Sequence, residues 1–177
     1  MKFVDPDGRR VKIGSWYGRI LVKLGFDTYE KRVENDIQKL KGISPLIKNT
    51  IEAIEGSKHV IFILHPSERP DNDKIHNGFL ADREKNADEN IKSGGRLYYD
   101  PSNNITAQKE KREPIIGLIH ELGHGENAIN GTYTPIKRNN LNEQVNIEKN
   151  EKRSIELENI VREYFNRPIR SKYFDTK

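Results

Sequence analysis

The chain has no cysteine among its 177 residues. Disulfides and thiolate-held metals are therefore excluded, and any bound transition metal has to be held by histidines and carboxylates. A chain without thiols is also indifferent to the redox state of its compartment. No apolar run approaches the roughly 20 residues of a membrane span. The start, Met1-Lys2-Phe3-Val4-Asp5-Pro6, lacks the apolar stretch of a signal peptide. Repeats and low-complexity tracts are missing as well. Charge of one sign is concentrated nowhere. The 31 basic and 27 acidic side chains are interspersed and leave a net charge of +4, which permits an acidic partner without demanding nucleic acid.

What is present is a very polar chain, 33% hydrophobic and 33% charged, long enough for one domain with one core. Its apolar residues are clustered, which argues against disorder. Asp5-Pro6-Asp7-Gly8 reads as a tight turn, and Arg10–Ile13 as a short strand. Ile20–Leu40 and Pro45–Ile54 read as helices with i,i+4 charge pairs. His59–Leu64 is a β-branched and aromatic run stopped by Pro66, a buried strand by pattern. Ser67–Asn90 is polar and reads as loop-rich, and Gly95–Pro101 as a second strand ending in a turn. Pro114–Ile129 is a helix with Pro at its start and Gly131 at its stop. Val145–Phe165 is another, whose residues Leu157, Ile160, Val161, Tyr164 and Phe165 predict one buried face. Strands come first and two long helices follow, so the predicted class is α+β.

The chemistry is concentrated in His120-Glu121-Leu122-Gly123-His124. Histidines four apart on a helix lie on one face, one turn from each other. Two imidazoles so placed can meet one Zn²⁺ at about 2.0–2.1 Å. Glu121, beside the first histidine, is placed to act as general base toward a metal-activated water. The flanks Ile115, Ile116, Leu118, Ile119 and Leu122 predict a buried helix, in which a histidine needs a partner. Satisfied core histidines are the competing reading. Gly123 costs about 1 kcal/mol of helix propensity and is expected to leave room beside the metal.

A catalytic zinc needs a third protein ligand and an open position. No histidine follows His124, so the ligand has to be a carboxylate. On a helical wheel of about 100° per residue, Glu151 and Glu158 share one flank of the face centred on Leu157. Glu148 points further out, and Glu156 and Glu163 take the opposite flank. Either Glu151 or Glu158 fits as ligand, with the other orienting a histidine. Tyr133, Arg162, Arg170 and Tyr173 are all candidates to donate a hydrogen bond to a transition-state oxyanion. His59, His65 and His76 lack metal spacing.

Three segments resemble a known family: Gly117–His124, the helix Glu151-x-x-Ser154-Ile155-x-x-Glu158-Asn159-x-x-Arg162, and the tail Arg167-Pro168-Ile169-Arg170-Ser171-Lys172-Tyr173. In this order they look like the NleD-like effector metallopeptidases, over roughly residues 95–173. The resemblance implies a zincin-like domain with a small sheet, Zn²⁺ as cofactor, and cleavage of a protein substrate. It favours Glu151 as third ligand beside His120 and His124, with Glu121 catalytic and Glu158 orienting a histidine. Two features depart from the family: Asn150 precedes Glu151 where paired acids are common, and the stretch between the two helices is short.

A second, shorter likeness lies at the start, where Phe3-Val4-Asp5-Pro6-Asp7-Gly8-Arg9 resembles the end of an Rhs-repeat core. It implies that residues 1–12 are the remnant of an upstream shell and linker, and residues 13–177 a single metallopeptidase toxin domain. Such a toxin would be exported by its parent protein into a target cell and paired with a cognate immunity protein. Two other functions compete. A binding module with a structural zinc predicts a closed four-ligand site, and a nucleic-acid-active toxin, suggested by a pI near 9.1, predicts steep salt dependence. For the peptidase, the strand Leu97-Tyr98-Tyr99 is an expected edge for peptide addition. An interior strand with its tyrosines in the core is the equal alternative.

Overall fold

The computed structural model describes residues 11–14, 28–70, 76–82, 91–105, 111–134 and 143–171, with side chains of the last stretch from residue 147. Within them, helices α1 (Tyr29–Ile43), α2 (Pro45–Gly56), α3 (Pro114–Asn130) and α4 (Glu143–Tyr164) accompany strands β1 (Val11–Ile13), β2 (Ile61–Leu64), β3 (Gly78–Ala81) and β4 (Gly95–Tyr98). The class is α+β with a small mixed sheet.

The helices start and stop where local chemistry dictates. Thr28 is extended, and its side chain accepts a hydrogen bond from the Lys31 amide, so α1 begins at Tyr29 rather than running in from Ile20. The stretch Ile20–Asp27 lies outside the described residues. Ser44 closes α1 and opens α2, accepting from the Ile47 amide while Pro45 takes the first helical position. Helix α3 matches the sequence expectation: Pro114 opens it and Gly131, at φ +77°, closes it in the left-handed conformation.

The sheet order is β1-β2-β4-β3, with β1, β2 and β4 parallel and β3 antiparallel at the edge. Ile13, Ile63, Leu97 and Phe79 stand in register across its inner face. Ile63 and Leu97 are fully buried there, in one core cluster with apolar residues of α1–α3 and with Leu157 and Val161 of α4. Phe62 and Arg96, on the other face, are exposed. The predicted buried strand is thus buried on one side only.

Two strand expectations are corrected. Ser67–Asn90 contains β3, a four-residue strand with too short an apolar run to stand out from a loop. Because β3 pairs with β4, Leu97-Tyr98-Tyr99 is not an edge. Tyr98 and Tyr99 are core residues, and the Tyr99 hydroxyl donates to Asp36 at 2.7 Å.

The inward face of α4 also differs from its apolar periodicity. Leu157 and Val161 are buried, but Tyr164 is exposed and Ile160 and Phe165 are half-buried. The buried stripe is rotated toward Asn150, Glu151, Ser154, Glu158 and Arg162. Buried charge is tolerated because these groups are paired.

Candidate metal centre

Helices α3 and α4 cross at Gly123. A Cβ built there would lie 2.7 Å from both Cα and Oγ of Ser154. The glycine therefore sets the approach of the two helices, instead of simply clearing space for a metal. Ser154 sits between Glu151 and Glu158 on α4, so this contact carries both carboxylates to the two histidines.

His120 Nε2 lies 3.2 Å from Glu151 Oε2, and His124 Nε2 lies 3.3 Å from Glu151 Oε1. Glu151 Oε2 is nevertheless buried with no hydrogen-bond partner. Ion-pair distance without hydrogen-bond alignment is what ligand atoms aimed at a common point give. Two ligands at about 2.05 Å with a tetrahedral angle stand about 3.3 Å apart, close to each histidine–carboxylate separation, one reaching each oxygen of Glu151. Among the described residues, His120, His124 and Glu151 are the one group of three side chains whose ligand atoms lie within 4.8 Å of one another. The residues fit a zinc ion.

Glu158 plays the other part. Its carboxylate is fully buried, and Oε2 lies 2.8 Å from His120 Nδ1. Arg162 Nε donates to Oε1 at 2.7 Å, Arg170 Nη1 to Oε2 at 3.1 Å and Arg112 Nη1 to Oε1 at 3.4 Å. Burial alone would push the Glu158 carboxyl up, but His120, Arg170 and Arg162 hold it well below the usual carboxylate range. An ionised carboxylate only accepts. His120 therefore donates through Nδ1, and once Nε2 has lost its proton the ring presents that lone pair to the position shared with Glu151.

Glu121 is nearly buried. Among the described residues no hydrogen bond engages its carboxylate. Asn150, in place of a second acid before Glu151, has a structural task. Its amide donates to Thr134 O at 2.6 Å and accepts from Thr134 N at 2.8 Å. This clamp ties the exit from α3 to α4, and the Tyr133 ring lies 6.2 Å from the His124 ring. Phe79 of β3 meets both, 6.5 Å from His124 and 5.8 Å from Tyr133.

Of the four candidate oxyanion donors, Arg162 and Arg170 are engaged on Glu158. Tyr173 lies outside the described residues, and the Tyr133 ring stands beside His124. Glu148, Glu156 and Glu163 are exposed, as expected of surface charges. Phe79 carries no local signal in the sequence, because the strand that places it depends on pairing with β4. Arg112 is equally silent, because nothing in the local pattern ties it to a residue 46 positions later.

A peptidase M91 family model, described as an effector protein, matches residues 20–173. The chain belongs to the M91 peptidase family. That match takes in the His120–His124 helix, α4 and the tail beyond it, and makes a protease acting as an effector the family-level function. No curated protein and no solved structure matches the chain. In this M91 peptidase no described helix is long and apolar enough to cross a membrane.

Proposed function

We propose that this M91 peptidase is a zinc-dependent endopeptidase of zincin-like fold, with His120, His124 and Glu151 as metal ligands and Glu121 as general base. The observation that carries the reading is the convergence of ligand atoms of His120, His124 and Glu151 within 4.8 Å of one another on two packed helices, with Glu121 following His120. Three protein ligands leave a coordination position open, which favours a catalytic over a structural ion. A zinc ion held there supplies a Lewis acid that activates water and polarises the scissile carbonyl.

The chain's own residues do the rest. Glu121 accepts the proton of the attacking water and delivers it to the leaving amine. Glu158 holds the His120 ring in one tautomer and orientation. Tyr133 donates a hydrogen bond to the oxyanion. The substrate peptide adds to β3, the edge strand nearest the histidines, through main-chain hydrogen bonds.

The reading extends to a protein substrate in a target cell, delivery by an Rhs-type parent and a cognate immunity protein. Delivery and immunity rest on Phe3–Arg9, which lie outside the described residues. The function is tested by incubating wild type and Glu121→Gln with a denatured-proteome peptide mixture and reading new termini. Cleavage by wild type, abolished by chelator and by Glu121→Gln and restored by zinc, is expected. Cleavage that survives both Glu121→Gln and chelation would overturn the reading.

A further inference from the structure

Glu158 has more partners than the orientation of one histidine requires. Arg112 precedes α3, Arg162 lies on α4, and Arg170 belongs to a strap after α4. Arg162 and Arg112 both reach Oε1. Arg170 is the one arginine of the three on Oε2, the oxygen that faces His120 Nδ1. A carboxylate's terminal torsion is broad, so contacts at one oxygen leave the other free to swing.

The strap is not held by apolar burial. Ile169 is 64% exposed, and Pro168 is exposed too. Polar contacts hold it. Asn166, at φ +54°, reverses the chain. Asn159 donates to Arg170 O at 2.8 Å and accepts from Arg170 N at 2.7 Å. Arg162 Nη1 donates to Pro168 O at 3.1 Å, and Arg167 forks onto Glu113 at 2.6 and 3.0 Å. Asn159 and Arg162, which clamp the strap, follow Glu158 within about one turn of the same helix, so strap and site are fastened at one place.

We propose that Arg170 is a positioning residue for the metal centre: it pins Glu158 Oε2, and through it the His120 ring, making the strap beyond α4 part of the site. The inference rests on the zinc reading above. Loss of a group supporting a ligand weakens metal affinity by about 10–100-fold. Arg170→Gln should sit at the low end, about tenfold, because Arg162 and Arg112 still hold Oε1.

The test is the zinc dissociation constant by chelator competition, on the full chain, for wild type, Arg170→Gln and Arg170→Lys, with the metal-free Tm recorded beside it. Arg170→Gln should bind zinc about tenfold more weakly, with little change in metal-free Tm, and Arg170→Lys should recover most of the loss. In a Glu158→Gln background Arg170→Gln should add nothing. Should that background fail to fold, Asn159→Leu, which releases the strap backbone, must reproduce the Arg170→Gln loss. Wild-type affinity in Arg170→Gln would overturn the inference alone. A wild type that binds no zinc would overturn the zinc reading and this inference with it.

Discussion

Gly123→Ala sets two effects of opposite sign against each other. Helix propensity favours alanine over glycine by about 1 kcal/mol. The added methyl, however, would stand 2.7 Å from Ser154 Cα and Oγ and 3.1 Å from its amide nitrogen. Two of these three atoms are backbone, which cannot rotate away. Restoring ordinary contact at 3.4 Å moves α3 from α4 by 3.4 − 2.7, or 0.7 Å. Overpacking of this kind costs about 1–3 kcal/mol, so the net effect is destabilisation by about 1 kcal/mol, or roughly 2–4 °C in Tm for a chain this size. The same shift would stretch the 2.8 Å His120–Glu158 contact and spoil the ligand spacing. Gly42, exposed in α1 with nothing within 4 Å of its would-be Cβ, is the control. Gly42→Ala should stabilise by up to about 1 kcal/mol. Thermal unfolding and zinc titration of the two variants read both effects. A Gly123→Ala protein that is more stable than wild type and binds zinc equally well would refute the crossing argument.

Further outcomes follow from the same contacts. In the metal-free chain burial pushes His120 toward neutrality, but Glu151 and Glu158 outweigh it and push it up to about 10. Zinc then has to displace a proton from His120. Affinity should rise with pH, by up to about tenfold per unit near neutrality, and a pH-independent chelator titration would contradict this. The raised His120 stabilises the metal-free fold fully below its unfolded value of about 6.5, and that contribution is lost as pH rises toward 10. Glu151, held down to about 2 by His120 and His124 against its own burial, stabilises above about 4.5 and stops doing so as pH falls. Metal-free Tm should therefore fall toward both extremes. Asn150→Ala leaves both Thr134 backbone groups unpaired and should cost about 1–3 kcal/mol in denaturant unfolding. Tyr133→Phe should lower kcat by about 100-fold while leaving zinc stoichiometry intact, and an unchanged kcat would remove Tyr133 as the oxyanion donor.

The sequence showed the site more clearly than it showed the sheet. Pro114, Gly131 and the His120–His124 spacing are local signals, so α3 was legible to within a residue of its end. The flank shared by Glu151 and Glu158 followed from helical geometry alone. What failed to show depends on partners distant in sequence. Gly78–Ala81 becomes a strand only because Gly95–Tyr98 lies beside it, and that pairing turned the expected edge into an interior strand. Tyr164 fits an apolar stripe by spacing yet is exposed, while Glu158 and Arg162 are buried. A hydrophobic pattern keeps charges outside; it cannot register that Arg112 and Arg170 arrive from elsewhere to neutralise them. Gly123 carried a similar ambiguity, because its steric reason, Ser154, is on another helix.

The central claim is tested most directly by the metal content of purified wild type, Glu121→Gln, Glu151→Ala and Glu158→Ala. The account predicts about one zinc per chain in wild type and Glu121→Gln, loss in Glu151→Ala, and weakened but detectable binding in Glu158→Ala. Zinc kept in Glu151→Ala and lost only in Glu158→Ala, or none in the wild type after reconstitution, would contradict it.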